Sequence, residues 1–439
     1  MTDKNFFTSL AYLILVSLIT LVFWTLGMEM IGISIFLVAG FFIVIFVKNS
    51  IYIIPLFLNA MFMVSQTEWD LTVIPIYAYL TPIVLIVGVI IHIIRFKVNI
   101  FRGKFFLGTA VLCIAIIVSS LVNAEAYDMT TLTIIITCIF ILFGYGFFAN
   151  TIQGDNTLYL IKVFVILGVM IALQVCIYYV KEYITTGDIQ HALENKTIDL
   201  GWGLSNFVAT YLIMFIAALT YFIKKYKLHI FWILIGFFEI AMLLFTLSRA
   251  GIIAFGVTSI MLILFMFVKY EHKLNLFINL VIGAFIVSVI GYFAREYFIT
   301  IWERLASRGL DDTGRIEIWY NAIDVFKANP IFGAGVFARV VEEDGLRLFH
   351  NTILHTLASF GIIGGVALLI QLFSIIRIFF YKFNHEKAIL LIALIGANIH
   401  GMVDNVYYMP HYMVIMFITI AVVENTNKID KLREELLSR

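Results

Sequence analysis

The sequence predicts an all-α, polytopic membrane protein with about 12–14 transmembrane helices and one long extracytoplasmic loop that contains an amphipathic helix. The prediction rests on composition, on the length of the apolar runs and on the placement of the basic residues. Of the 439 residues, 62% are hydrophobic and only 13% are charged, whereas a soluble domain carries about 25% charged residues. The formal net charge of +1 gives no argument for a nucleic-acid partner.

Fourteen apolar runs approach the length of a membrane span. A helix needs about 20 apolar residues to cross about 30 Å of hydrocarbon. Because the third and thirteenth runs are short, twelve or thirteen spans also fit. The runs are continuous rather than alternating, which favours helices over strands. They lie near residues 6–26, 28–47, 51–65, 71–94, 105–122, 131–149, 158–180, 205–223, 230–247, 250–268, 276–293, 351–376, 388–403 and 408–424.

The first apolar run, residues 6–26, and the cysteines are also typical of a membrane protein. The run has no small-residue cleavage site, so we interpret it as the first transmembrane helix rather than a cleavable signal. Cys113, Cys138 and Cys176 all lie inside apolar runs. We expect them to be small buried side chains rather than a disulfide framework.

The basic residues assign a side to each loop. With the N-terminus in the cytoplasm, the loops on that side collect most lysines and arginines, as the positive-inside rule expects. We therefore predict a cytoplasmic (inner) membrane protein with both termini in the cytoplasm. Residues 1–439 form a single membrane domain with a cytoplasmic tail at 425–439. The inside cations are Lys48, Arg95, Lys97, Arg102, Lys104, Lys224, Lys225, Lys227, Lys269, Lys273, Arg377, Lys382 and Lys387.

Residues 294–350 form the longest polar insert, precede the last three helices and carry six arginines. We expect this insert to face outward, as does a second polar loop at 181–204. Within it, Asp312 or Thr313 can cap a helix that runs to about Ala328 and ends at Asn329-Pro330. That helix has an apolar stripe and is predicted to lie on the outer membrane surface. The stripe consists of Ile316, Trp319, Tyr320, Ile323 and Phe326.

Two arginines are unusual for a membrane protein. Arg249 lies at the join of the runs 230–247 and 250–268, which are too long together for one span, so the chain must turn here. Snorkelling to headgroups would explain this cation, and an anion in a protein-lined cavity would explain it as well. Arg315 is predicted in the first turn of the amphipathic helix, where the helix dipole disfavours a cation. Either an anionic ligand or an ion pair with Asp311 or Asp312 would account for it.

His350-Asn351 marks the point where the insert returns to the membrane. Such a histidine is structural or, beside two cations that favour neutral imidazole, a general base. His400 and Asp404 are weaker candidates; they are four residues apart and could share a helix face as an orienting pair. Arg304 and Arg308 are alternatives to Arg315. Asp311-Asp312 could hold a metal, but helix capping is the simpler explanation, and no cluster has metal-ligand spacing. Gly361 and Gly365 have GxxxG spacing and are interpreted as helix packing.

Several ordered fragments over residues 240–405 together resemble the O-antigen ligase and polymerase superfamily. Each fragment alone is weakly specific, but their order around an outer loop is characteristic. The N-terminal half is similar only as a row of hydrophobic helices. The fragments are Ser248-Arg249-Ala250-Gly251, Gly314-Arg315-Ile316-Glu317-Ile318-Trp319, Pro330-Ile331-Phe332-Gly333-Ala334-Gly335, and His350-Asn351 followed by Leu354, Gly361 and Gly364.

The resemblance implies a metal-independent, inverting glycosyltransferase that uses a polyprenyl-pyrophosphate-linked oligosaccharide as donor and needs no cofactor. Arg249 and Arg315 would engage the donor pyrophosphate, and His350 would deprotonate the acceptor hydroxyl. Asn351, Asp404, His400, Arg304 and Arg308 are supporting candidates. Lipid-linked oligosaccharides as donor and acceptor, membrane lipids, chain-length regulators and flippases are the implied partners. The predicted fourteen spans exceed the about twelve typical of the family.

Three functions are compatible with these residues. We favour a polymerase of repeat units for a capsule, exopolysaccharide or O-antigen. A ligase that transfers the glycan to a lipid acceptor is the nearest alternative. A transporter or flippase of lipid-linked oligosaccharide is the rival from another class, but transporters have paired repeats and broken helices at the bilayer midplane, whereas the polar outliers here gather at one face. A binding or scaffold protein ranks last because no separate recognition domain is visible.

Overall fold

Helices form almost all of the architecture in the computed structural model, which describes residues 6–64, 76–123, 129–225, 229–269, 273–307, 314–336, 340–342, 345–347 and 349–437. The predicted all-α membrane fold is confirmed. Within these residues the helices are α1 (Leu10–Thr25), α2 (Glu29–Phe46), α3 (Ile54–Met61), α4 (Ile76–Phe96), α5 (Phe106–Val122), α6 (Met129–Thr151), α7 (Thr157–Thr186), α8 (Gln190–Asn195), α9 (Ser205–Lys225), α10 (His229–Phe245), α11 (Arg249–Lys269), α12 (Lys273–Phe293), α13 (Arg295–Ser307), α14 (Arg315–Ala328), α15 (Thr352–Phe379), α16 (His385–His400) and α17 (Pro410–Leu437).

Each of the fourteen predicted runs coincides with one of these helices, whereas α8, α13 and α14 lie in the two long polar loops. Within the described residues, eight helices are long and apolar enough to cross a membrane, namely α2, α6, α7, α9, α11, α12, α15 and α17. Shorter apolar segments lie at Leu10–Thr25, Ser50–Met61, Ile83–Phe96, Phe106–Val122 and Ile230–Phe245.

Three helices occupy the centre of the bundle. In the most apolar stretches of α9 and α17, 89% of the residues are buried, and 67% are buried in α7, against only 12% in α12. The exposed apolar faces of α12 and α2 therefore lie toward lipid, whereas polar groups on α9 can be shielded within the protein. Helix α17 continues through the predicted tail at 425–439 as far as Leu437, and Asn425, Thr426 and Asn427 are buried.

The insert at 294–350 contains more structure than the one predicted helix. It holds α13, α14 and two short antiparallel strands, β1 (Val340–Glu342) and β2 (Gly345–Arg347). Helix α14 has the predicted end at Asn329, but its N-cap position is Gly314 (φ 75°), not Asp312 or Thr313, which lie outside the described residues.

The face of α14 that packs against protein is separate from the apolar stripe expected to lie on the membrane surface. Ile318 and Ala322 are buried against Phe349 and Ala358 at the start of α15, whereas Ile316 and Tyr320 on the stripe are exposed. Hydrophobicity alone could not show which face packs against protein, because both faces of the helix carry apolar side chains. The helix is therefore anchored to α15, immediately beside His350.

The GxxxG motif serves a break in α15 rather than helix packing, so that prediction was wrong. Gly361 has φ 63° and ψ −158° inside α15. A Cβ atom there would lie 2.2 Å from the carbonyl oxygen of Ile331 and 2.8 Å from the nitrogen of Gly333. A glycine is required because the backbone is left-handed and another backbone segment lies against it.

The segment that packs into this break is 329–336, which contains the Pro330–Gly335 motif. Its backbone groups hydrogen-bond to the carbonyl and N–H groups that the break in α15 exposes, which satisfies them inside an apolar environment. The bonds are Ala334 N–H to Ala358 O (2.9 Å), Gly335 N–H to Ser359 O (3.2 Å) and Ile362 N–H to Pro330 O (2.8 Å). This segment joins α14 rigidly to α15 and so fixes the insert relative to the helix that follows His350.

Candidate functional site

His350 lies directly before the N-cap of α15 in a left-handed backbone conformation (φ 46°). Its neighbour Asn351 caps the helix, because the Asn351 Oδ1 accepts hydrogen bonds from the N–H groups of Ile353 and Leu354, both at 3.0 Å. The Asn351 Nδ2 donates to the carbonyl of Met402 at 2.9 Å. Asn351 thus fixes the backbone beside His350 and ties it to the segment 401–409 between α16 and α17.

The imidazole of His350 contacts a buried carboxylate. Nδ1 of His350 lies 3.3 Å from Oδ1 of Asp404, and the two side chains are 33% and 7% exposed, respectively. The carboxylate favours the tautomer with the proton on Nδ1, which leaves Nε2 as the basic nitrogen. An oriented, partly exposed imidazole of this kind can accept a proton from a bound hydroxyl.

Asp404 is held in its ionised form. Burial alone would raise its pKa, but the hydrogen bond from His350, the nearby imidazole of His400 and the N–H of Asn405 outweigh burial and lower the pKa to about 2. The Asn405 N–H lies 2.8 Å from Oδ1. Asp404 is therefore a permanent negative charge at neutral pH, suited to orient His350 and to stabilise its protonated form.

Asn206 connects Asp404 to two further elements. At the start of α9, its Nδ2 donates to Oδ2 of Asp404 at 2.9 Å. Its Oδ1 accepts from the Ser248 hydroxyl at 2.9 Å and from the Lys196 ammonium at 3.0 Å. A continuous hydrogen-bonded chain therefore runs from Ser248 through Asn206 and Asp404 to His350. These four residues are referred to below as the Ser248–His350 chain.

The same chain places Arg249 at this end of the bundle. The predicted turn between the two runs is present, since α10 ends at Phe245 and α11 begins at Arg249. Leu247 makes the turn with φ 55°, and Ser248 caps α11 by accepting the N–H of Gly251 at 3.2 Å. Arg249 is half-buried. It is adjacent in sequence to a residue of the Ser248–His350 chain, so His350 and Arg249 lie on the same side of the membrane.

Arg315 approaches the site from α14. Like Arg249, it is half-buried and is the first residue of its helix. Trp319, one turn later on the same helix face, donates its Nε1–H to the carbonyl of His350 at 3.4 Å. Arg315 and Lys196 both lie close enough to His400 for their positive charges to interact with its imidazole. Both predicted donor-binding arginines therefore lie in the region of His350.

His400 and Asp404 do not form the predicted helical pair. Helix α16 ends at His400, so Asp404 lies in the following turn and not on the same helix face. His400 is buried, and its Nδ1 lies 2.7 Å from the Thr210 hydroxyl. Spacing alone gave the wrong partner because the helix stops between the two residues. The residue that Asp404 orients is His350, 54 positions away.

The remaining candidates lie farther along the insert. Arg304 is half-buried on α13, which packs beside α8. Arg308, Asp311 and Asp312 lie outside the described residues. Among the described residues, no group of three or more His, Cys, Asp or Glu side chains is placed to hold a metal ion.

Sequence reasoning missed Lys196, Asn206 and Trp319 as site residues. Lys196 (φ 56°) ends α8 in the loop 181–204, whose role the sequence left open. Asn206 looked like an ordinary polar residue at a helix start, since its partners are 42 and 198 positions away. A polar loop on the predicted outer side was the only available signal.

Together the fold and the site define a polytopic, α-helical membrane protein with a histidine–carboxylate pair and helix-opening arginines at one end of its bundle. Residues 229–369 match the family model described as O-antigen ligase. The match confirms the resemblance to the O-antigen ligase and polymerase superfamily, and it contains Arg249, Arg315 and His350. No curated protein matches the chain. Asp404 and Asn206 lie outside the matched region.

Proposed function

We propose that this protein is a membrane glycosyltransferase that polymerises polyprenyl-pyrophosphate-linked oligosaccharide repeat units into a surface polysaccharide at the outer face of the cytoplasmic membrane. The family match supports a ligase or polymerase type of function with lipid-linked oligosaccharide substrates. The single observation that carries the proposal is the His350–Asp404 pair located at the same end of the bundle as Arg249 and Arg315.

The acceptor step is assigned to His350. The Nε2 atom of neutral His350 removes the proton from an acceptor sugar hydroxyl as its oxygen attacks the anomeric carbon of the donor. Asp404 stabilises the imidazolium that forms, because its carboxylate faces Nδ1. The proton remains on His350 until solvent removes it after the product leaves.

The donor step is assigned to the two arginines. As the new glycosidic bond forms, the bond between the anomeric carbon and the phosphate oxygen breaks, and the polyprenyl pyrophosphate leaves with the electron pair. Arg249 and Arg315 each open a helix, so guanidinium and backbone N–H groups can face the same anion. A direct attack of this kind inverts the anomeric configuration, and the charge that magnesium neutralises in other transferases is neutralised here by arginine.

The placement of these groups favours transfer over transport. His350, Asp404 and the two arginines belong to one end of the bundle, whereas a transporter places its substrate site near the bilayer midplane. An enzyme that receives lipid-linked substrate at one membrane face needs its polar groups at that face. Ligation to a lipid acceptor uses the same chemistry and differs only in the acceptor.

The test is elongation by the purified protein in nanodiscs supplied with lipid-linked repeat units, read as a ladder of products on a gel. His350→Ala is expected to slow elongation by about 10²- to 10⁴-fold, and Arg315→Ala is expected to slow it by about ten- to hundredfold, since a charge-assisted contact to the pyrophosphate is lost. His191→Ala is the matched control, since His191 is an exposed histidine on α8, and it should leave the ladder unchanged.

In cells, the inactive variants should accumulate single lipid-linked repeats on the outer membrane face. Accumulation on the cytoplasmic face would instead identify the protein as a flippase. Full transfer to a lipid acceptor, with no ladder in the wild type, would identify a ligase. A wild-type ladder unaffected by His350→Ala would reject the catalytic role of that residue.

A further inference from the structure

A cluster of basic side chains surrounds Tyr381 at the far end of α15 from His350. Helix α15 has 28 residues, so its two ends are about 40 Å apart. The ammonium groups of Lys104, Lys387 and Lys431 lie 5.8, 6.0 and 5.5 Å from the centre of the Tyr381 ring. These groups come from the segment before α5, from the first turn of α16 and from α17. The Tyr381 cluster is therefore assembled from three separate elements.

Two lysines in this region, Lys387 and Lys428, hold helix ends together through hydrogen bonds. Lys387 is completely buried, and its ammonium donates to the carbonyl of Tyr381 (2.7 Å), the carbonyl of Lys382 (3.2 Å) and the Oδ1 of Asn427 (2.7 Å). Lys428 donates to the carbonyl of Ala149 at 2.7 Å. These lysines hold the ends of α15, α16 and α17 together and are not available to a ligand.

Three cations are not accounted for in this way. Within the described part of the chain, the side-chain nitrogens of Lys104, Arg377 and Lys431 make no hydrogen bond or ion pair. The carboxylate of Glu424 accepts the backbone N–H of Lys104 at 3.0 and 3.1 Å and the hydroxyl of Tyr145. The carboxylate of Glu434 accepts the hydroxyl of Tyr381 at 3.1 Å and pairs with Lys382 at 2.7 Å. These two carboxylates offset only part of the positive charge at this surface.

The charges act on one another. Burial lowers the pKa of Lys104, Glu424 raises it, and the positive charges of Arg377, Lys431 and Lys428 lower it further. Like charges held together in a folded protein destabilise each other unless an anion lies between them. The arrangement is therefore one that an anion would stabilise.

An exposed aromatic pair beside the cations indicates what kind of molecule carries that anion. Phe380 and Phe383 are stacked, with ring centres 5.2 Å apart and planes 11° apart, and they are 59% and 48% exposed. Arg377 precedes Phe380 by one helical turn at the end of an apolar helix. A soluble polyanion would gain nothing from the phenylalanine rings, whereas a membrane lipid presents a charged headgroup and an apolar body at this depth.

We propose that Lys104, Arg377 and Lys431 bind the phosphate of an anionic phospholipid headgroup, with Phe380 and Phe383 against its glycerol and upper acyl region. Lys387 and Tyr381 provide the rigid floor of this site. The site is about 40 Å from His350, so it is separate from the glycosyl-transfer site and does not depend on the proposed function. In the orientation predicted from the basic residues, the lipid belongs to the cytoplasmic leaflet.

The test is lipid retention by the detergent-purified full chain, measured by native mass spectrometry against added phosphatidylglycerol and phosphatidylcholine. The wild type is expected to retain phosphatidylglycerol in preference to phosphatidylcholine. Each of Lys104→Gln, Arg377→Gln and Lys431→Gln should weaken retention of phosphatidylglycerol about fivefold, and the triple variant about a hundredfold. Lys48→Gln is the matched control, because Lys48 is an exposed cation in a different loop predicted to lie on the same side.

Folding and the source of the anion are checked separately. The three side chains make no hydrogen bonds within the described residues, so the triple variant should unfold at the wild-type temperature in phosphatidylcholine alone. Inorganic phosphate should not displace bound phosphatidylglycerol. Displacement by phosphate would assign the site to a free anion and overturn the lipid proposal. Equal retention of both lipids, or a triple variant that binds phosphatidylglycerol as Lys48→Gln does, would also overturn it.

Discussion

Nδ1 of His350 lies 3.3 Å from a carboxylate oxygen of Asp404, although the two residues are 54 positions apart. His350 precedes α15 and Asp404 follows α16, so the contact requires both helix ends to meet at one membrane face. The amide of Asn206, from α9, holds the other oxygen of Asp404. The site is therefore built on three of the helices that form the bundle and not on the insert alone.

Replacement of Asp404 by asparagine should slow the reaction. The carboxylate faces Nδ1 of His350 and can stabilise the imidazolium that forms when Nε2 accepts the proton, whereas a neutral amide carries no counter-charge. The maximal rate should therefore fall about hundredfold or more. Steady-state kinetics of both proteins measures this, and an unchanged maximal rate would contradict the orienting role.

Asp404 should also contribute to stability in a defined pH range. Its pKa in the folded protein, about 2, is below its ordinary value of 3.8. The stabilisation is therefore fully present above pH 3.8 and is lost as the pH falls toward 2. Thermal unfolding in detergent between these pH values should show a decrease in Tm for the wild type that is smaller in Asp404→Asn. Parallel curves for the two proteins would contradict the assignment.

Asn206→Leu tests the link between Asp404 and the α10–α11 turn. Leucine has a similar volume but removes the donor to Asp404 and the acceptor for Ser248 and Lys196. Removing this partner from the buried carboxylate of Asp404 and the buried hydroxyl of Ser248 should destabilise the protein by about 1–3 kcal/mol. It should also reduce kcat less than His350→Ala does, because His350 itself remains. Asn279→Leu is the control and should change neither stability nor kcat appreciably, because the Asn279 amide is only half-buried and donates to the carbonyl of Asn275 on its own helix, α12.

The helices could be predicted from the sequence, but the site could be predicted only in part. Run lengths located the turn at Arg249, because 39 apolar residues cannot form one span. The family-like fragments indicated His350 and Arg315. Asn206 and Lys196 could not be found in this way, because their contacts join distant helices and depend on how the bundle packs. The packing of α14 against α15 could not be found for a related reason, since an apolar side chain does not reveal whether it meets lipid or protein.

Gly361 is a case in which the motif was seen and its cause was misjudged. Gly361→Ala should be strongly destabilising, since alanine at φ 63° and ψ −158° occupies a backbone region that is essentially restricted to glycine and costs about 1–3 kcal/mol, and its Cβ would overlap the Ile331 carbonyl. Gly365→Ala is the matched control, because its Cβ would meet only the flexible end of Leu357, at 2.9 Å. Thermal unfolding in detergent should show a large loss of Tm for the first and a small change for the second. Equal effects would restore the helix-packing interpretation.

The two arginines are expected to act on one anion, and a double-mutant cycle can test this directly. Arg249→Gln and Arg315→Gln should each lower kcat/KM for the lipid-linked donor, by about ten- to hundredfold, since each removes a charge-assisted contact to pyrophosphate. If both contact the same pyrophosphate, its position shifts when either is lost, so the combined effect should differ from the sum of the single effects by about 0.5–3 kcal/mol. If the two arginines have separate roles, for example because Arg249 contacts lipid headgroups, the effects of the two substitutions on kcat/KM would be additive. Steady-state kinetics of the four proteins with purified donor distinguishes the two cases, and strict additivity would remove Arg249 from the donor site.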